Sequence, residues 1–212
     1  MNQTGDVPEN GLVEVLDRAR ELGFLGPGPV EAQLAHARGF AEVVSHHEAE
    51  AVPGVDLGSG GGLPGLPLAV WWPASRWVLL DANRRRTEFL RWAVATLGLE
   101  ERVRVVHRRA ESFAVGHERG RYPLVVARGF GRPAVVAECT APLLCVGGRL
   151  VVSEPPEDGE DRWPDAGLAQ LGMRPGPLVQ AGGARFRTLG QAAPCPDRFP
   201  RRVGRAGHSP LF

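Results

Sequence analysis

From Pro53 onward the chain alternates short apolar runs with stretches of helical period, and few folds accommodate that alternation. Residues 55–57, 77–80, 103–106, 124–127 and 150–152 read as apolar strands of the kind buried on both faces of a parallel sheet. Between them, helical patterns occupy residues 65–72, 84–97 and 133–144, with a shorter one near Glu111. In the second of these, Phe89, Leu90, Ala93, Val94 and Leu97 form a core face, while Arg84, Glu88 and Arg91 face solvent. Strand alternating with helix predicts a doubly wound α/β fold, with a mostly parallel sheet and helices on both faces.

What flanks this pattern is simpler. Leu12, Val15, Leu16, Ala19 and Leu22 recur at helical spacing up to Gly23, residues 23–29 break the chain, and a second helix is expected from Val30 to about Glu50. These two helices form an N-terminal extension. After the alternating part, residues 178–179 and 185–189 read as closing strands that form an antiparallel hairpin at the sheet edge, giving seven strands. Beyond them the density of Pro, Gly and Arg predicts an extended tail. The expected division is therefore 1–52 helical extension, 53–192 main domain and 193–212 basic tail, within the single core that 212 residues can support.

The segment VDLGSGGGLPGLP, residues 55–67, leaves the first strand and enters the first helix. Gly58, Gly60 and Gly62 permit a tight turn and close approach of a ligand to the backbone at a helix N-terminus. The dinucleotide fingerprint fails because Leu63 stands where its last glycine belongs, and a phosphate-cradling GKS or GKT loop fails because the chain has no lysine. What stands instead is Asp56 two positions ahead of Gly58, Gly60 and Gly62, the pattern of S-adenosylmethionine-dependent methyltransferases with a Rossmann-like fold. Asp81 ends the second strand, where an acid can accept hydrogen bonds from both ribose hydroxyls of an adenosine; Asn83 is the better cap for the helix that follows. Ala110 and Glu111 in RRAESF would border the adenine, and Arg128 stands at the carboxyl end of the fourth strand, where ligands of open α/β sheets sit.

Other residues invite functional readings that the pattern does not favour. His46, His47 and Glu48 are adjacent, so their side chains diverge on a helix and make no metal site. Cys139 and Cys145 read as helix-core thiols, and Trp71, Trp72 and Trp77 as packing residues. Trp163 and Phe199, in polar segments, are expected at the surface. The three cysteines form no paired framework and the N-terminus has neither a basic start nor an apolar run, which points to a cytoplasmic protein. No apolar stretch is long enough to suggest a membrane span.

The net charge of +1 hides a strong ordering along the chain. Residues 1–83 hold 4 arginines against 11 acids, 84–132 hold 12 against 5, 133–173 hold 2 against 7, and 174–212 hold 7 against 1. Two basic blocks of this size either converge into one positive face or scatter over the surface, and sequence alone leaves both open.

Taken together, VDLGSGGGLPGLPLAV, LLDANRRRTEFLRWAVATLGL, RRAESF, VVARGF and PDRFPRRVGRAGHSPL resemble the 16S ribosomal RNA guanine-N7 methyltransferases, the RsmG or glucose-inhibited division protein B family, over about residues 54–212. The resemblance implies a class I methyltransferase fold and S-adenosyl-L-methionine as cofactor, with contacts from Gly58, Leu63, Ala110, Glu111 and Arg128. Asp56, Gly60 and Asp81 come from the broader fold pattern. It also implies small-subunit ribosomal RNA or the 30S subunit as partner. The tail cluster Arg198, Arg201, Arg202 and Arg205 provides candidate RNA contacts, which Arg84 and Arg85 join if they lie beside it, and no metal is expected. Guanine N7 carries a lone pair and no proton, so positioning outweighs acid–base chemistry; no catalytic base is expected, and Arg128 is the candidate for orienting base or cofactor. The chain departs from the family pattern at residues 153–156, Ser-Glu-Pro-Pro in place of Lys-Gly, and at Gln191 in place of a lysine. A paralogue acting on a small molecule or protein, or a non-catalytic cofactor-binding module, are the competing readings.

Overall fold

The computed structural model describes residues 9–44, 52–156 and 162–212; His46, His47, Glu48 and the far end of the helix expected to reach residue 50 lie outside them. Helices α1 (Glu9–Glu21) and α2 (Val30–Val43) come first. The alternating part runs β1 (Pro53–Leu57), α3 (Gly65–Trp71), β2 (Arg76–Asp81), α4 (Arg84–Thr96), β3 (Val103–His107), the one-turn α5 (Ala110–Phe113), β4 (Tyr122–Ala127), α6 (Pro133–Thr140) and β5 (Leu144–Glu154). Then come α7 (Asp165–Ala169), β6 (Met173–Ala181), β7 (Ala184–Gln191) and α8 (Arg205–His208).

Among the described residues these strands form one seven-stranded sheet in the order β3-β2-β1-β4-β5-β7-β6. Strands β1 to β5 are parallel, while β7 runs antiparallel to both β5 and β6, so the hairpin closes one edge as its sequence predicts. Side chains alternate between two apolar clusters: Trp77 and Leu79 of β2 enter one, Val78 and Leu80 the other. The first cluster holds α1, α2, α3 and α4, through residues such as Leu16, Phe40, Leu66 and Leu90. The second holds α5, α6, α7 and the C-terminal segment, through Phe113, Ala137, Leu168 and Phe199. Burial on both faces explains why these strands lack the polar alternation of a half-exposed sheet.

Four local expectations are corrected. The helix expected to reach Leu144 stops at Thr140: Ala141, still in the αR region, caps it through a hydrogen bond to Ala137 O, and Pro142, which has no N–H, cannot donate into a continuing helix. Cys145 consequently lies in β5, not in a helix. The C-terminal segment is packed, not simply extended: Cys195, Phe199 and Ala206 are buried, and α8 forms within it. Trp163 and Phe199 are buried too, at 1% and 3% exposure; polar neighbours in sequence concealed apolar neighbours in space.

Candidate cofactor crevice

Strand order reverses between β1 and β4, and in open α/β sheets that switch point leaves a crevice beyond the strands' carboxyl ends. The glycine loop emerges there. Gly58 has φ +74°, and a Cβ on it would lie 2.5 Å from the Phe130 ring, so only glycine fits the turn. A Cβ on Gly65 would lie 2.6 Å from Asp56 Oδ2, which lets the helix N-terminus settle onto that carboxylate.

Asp56 is fully buried beneath the loop. Its Oδ2 accepts from Ser59 Oγ (2.6 Å) and Gly65 N (3.0 Å), while Oδ1 has no partner among the described residues. Burial raises its carboxyl from the ordinary 3.8 to about 6, opposed by those two hydrogen bonds. Asp81 stands at the rim. Its Oδ2 accepts from Gly60 N (2.9 Å) and its Oδ1 from Asn83 N (2.7 Å), with Arg86 Nη1 at 3.8 Å. Asn83 caps α4 through Arg86 N, which leaves Asp81 facing the cavity.

Two adjoining cavities share Gly58, Arg86 and Gly129. The first, about 310 Å³, is bordered by Asp81, Ala110, Glu111, Phe130 and Cys139 and walled on its outer side by Gly204 and Gly207. The second, about 290 Å³, is bordered by Gly60, Leu63 and Arg128 together with Phe24, Leu25 and Gln33. The structure thus brings Gly58, Gly60, Leu63, Asp81, Ala110, Glu111 and Arg128 to one crevice and sets Asp56 underneath it. The pair of cavities suits an elongated ligand with an adenosine at one end: Asp81 offers carboxylate oxygens, Ala110 and Phe130 offer apolar walls, and Asp56 Oδ1 supplies an unused acceptor below.

Several crevice residues escaped the sequence reading. Arg128 donates to Gln33 Oε1 on α2, a contact between positions 95 apart that no local pattern reveals, although a glutamine among the apolar positions of α2 was the available signal. Burial holds the Arg128 guanidinium below its ordinary pKa, opposed by the charge of Asp56. Glu111 accepts from Gly204 N (2.8 Å), so this acid fixes the C-terminal segment against the cavity. Cys139 lines the same cavity, but burial pushes its thiol up and keeps it protonated, a poor nucleophile.

The candidate RNA contacts divide. Arg84 is exposed and pairs with Glu88, and Arg85 lies over the Phe24 ring. Arg198 lies over Phe199, while Arg202 and Arg205 are exposed. Arg201 is differently placed. Its Nε and Nη2 donate to both oxygens of buried Glu138, and its backbone N donates to Oε1. The departures from the family pattern are also accounted for internally. Glu154 accepts from Trp163 Nε1 and Arg162 Nη1, and buried Gln191 donates to Leu171 O and Ala193 O.

This sheet order, reversal and glycine loop define a Rossmann-like class I methyltransferase fold. A SAM dependent methyltransferase from Aquifex aeolicus shares it, with TM-score 0.60 and 15% identity over 82% of this chain and 97% of that one. So does a mutant of MtNAS in complex with S-adenosylmethionine, with TM-score 0.59 and 12% identity over 90% and 77%. Residues 31–155 match the model of the GidB family, rRNA small subunit methyltransferase G. The ribosomal RNA small subunit methyltransferase G of Deinococcus radiodurans is 36% identical over 167 residues, 74% of this chain and 65% of that protein. That of Parasynechococcus marenigrum is 34% identical over 186 residues, 80% of this chain and 71% of that protein. The chain belongs to the rRNA small subunit methyltransferase G family, and spans about two thirds of the length of these relatives.

Proposed function

We propose that this protein is an S-adenosylmethionine-dependent methyltransferase that methylates N7 of a guanine in small-subunit ribosomal RNA. The observation that carries the reading is the crevice at the β1/β4 switch point, in which the glycine loop, the strand-end acid Asp81 and Arg128 of a family member converge. When bound, the cofactor supplies an electrophilic methyl group on sulfur.

The chain's own residues bind and orient. Asp81 would accept from the ribose hydroxyls, held in place by Gly60 N and Asn83 N. Ala110 and Phe130 would flank the adenine, and the Asp56 carboxylate beneath the loop would attract the cationic end of the ligand. Arg128, fixed by Gln33, would orient what enters the second cavity. Because N7 has a lone pair and no proton, the in-line attack requires alignment and no general base, consistent with a crevice whose thiol is kept protonated.

The test is transfer of labelled methyl from S-adenosylmethionine to 30S subunits, bare small-subunit RNA and cell extract in parallel, with nucleoside mass spectrometry on the product. N7-methylguanosine in the RNA is expected, and label only in protein or small molecules would overturn the assignment. In calorimetry S-adenosylhomocysteine should bind saturably. Asp81→Ala should weaken it about tenfold or more, as loss of a charge-assisted hydrogen-bond pair predicts.

A further inference from the structure

Beside the crevice lies a separate cavity of about 250 Å³, which meets the first one at Gly129 and Phe130. Its walls include the apolar side chains Phe130, Pro133, Val136, Val152 and Pro155. Glu154, at the end of β5, and Arg162 bring its charged groups. The Glu154 side chain is only 8% exposed, and each of its oxygens has one described donor: Trp163 Nε1 to Oε1 (2.6 Å) and Arg162 Nη1 to Oε2 (2.7 Å). A carboxylate has about four acceptor positions, and the two described donors occupy one on each oxygen.

We propose that this cavity receives the target guanine, with its Watson–Crick edge against Glu154 and N7 toward the boundary at Gly129 and Phe130. This deepens the proposed function and rests on it. The chemistry of the edges selects the base. Guanine presents N1–H and the 2-amino group as adjacent donors, matched to the two oxygens of a carboxylate. Adenine offers an acceptor at N1 and no group at C2, and neither pyrimidine presents two adjacent ring-edge donors. The same orientation directs N7, on the opposite side of the purine, toward the crevice where the methyl donor would lie. Phe130, Pro133 and Pro155 supply the apolar faces on which an extruded base stacks. Arg162 Nη1, donating to Oε2 at 2.7 Å, fixes the position of the carboxylate.

The test uses inosine, which lacks the 2-amino group but keeps N1–H and N7. A single inosine is placed, by ligation of RNA fragments, at the guanosine identified by mass spectrometry. The full-length enzyme should methylate this RNA with kcat/KM at least about tenfold below that for guanosine. Glu154→Gln should lower kcat/KM for guanosine RNA by a similar factor and bring the two RNAs to within about twofold of each other. Its affinity for S-adenosylhomocysteine should stay unchanged, which shows that the variant is folded. A wild-type enzyme that treats inosine and guanosine alike overturns the assignment, and that comparison holds even if the variant fails to fold. So does a folded Glu154→Gln that keeps the full discrimination. Absence of methyl transfer to any small-subunit RNA is a different outcome, which overturns the proposed function and this pocket with it.

Discussion

Asp56 illustrates how one residue is set by its surroundings. It is buried, yet it accepts hydrogen bonds through one oxygen only. Burial therefore outweighs Ser59 and Gly65 and raises its pKa from 3.8 to about 6. An acid whose pKa is raised in the folded state binds its proton more tightly when folded, so its contribution to stability grows as pH falls through 6 toward 3.8. Relative to Asp56→Asn, the cofactor-free wild type should gain about 1 kcal/mol of stability between pH 8 and pH 5. Urea unfolding at the two pH values checks this, and a difference that does not change with pH refutes it. The acid two positions before the glycines was visible in sequence; that it lies beneath the loop instead of lining the crevice was not, because the direction of a side chain at a strand end depends on how the loop folds over it.

At the scale of elements, the C-terminal segment is held by a few strong contacts. Arg201 grips Glu138 on α6, Arg119 donates to the Cys195, Pro196 and Phe199 carbonyls, and Gly204 N donates to Glu111. Glu138 is 1% exposed, whereas Arg201 is 23% exposed, so the two halves of this pair are not equivalent. Removing the arginine strands a buried charge, and Arg201→Leu should cost about 3 kcal/mol in urea unfolding. Glu138→Leu leaves a guanidinium that can turn toward water and should cost less. Because Gly204 and Gly207 wall the crevice, Arg201→Leu should also weaken S-adenosylhomocysteine severalfold in calorimetry; unchanged affinity would show that this wall does not bear on the ligand. The pattern of Pro, Gly and Arg correctly marked a segment without long elements, but its contacts fall on residues 63 to 93 positions away and leave no local trace.

For the whole molecule, the near-neutral net charge is the least informative description of its surface. One basic block contributes Arg86, Arg108 and Arg109 to the first cavity, and the other contributes Gly204 and Gly207, between and beside Arg202 and Arg205. Both segments therefore border one opening. If RNA approaches there, affinity should fall steeply with salt, and Arg202→Ala or Arg205→Ala should each reduce the slope of log affinity against log salt by about 0.7. Filter binding of small-subunit RNA at several salt concentrations measures it, and an unchanged slope removes that arginine from the interface. The sequence by itself determined most of the elements, the glycine loop and seven crevice residues, Gly58, Gly60, Leu63, Asp81, Ala110, Glu111 and Arg128, because periodicity, turn chemistry and motif spacing act over a few residues. Only the tertiary structure decided that the segments carrying the two basic blocks border one cavity, that Arg201 is occupied by Glu138, and that Trp163 and Glu154 border a third cavity beside the crevice. Each depends on packing between segments that the backbone brings together across the sheet, where burial and charge pairing are set by neighbours distant in the chain.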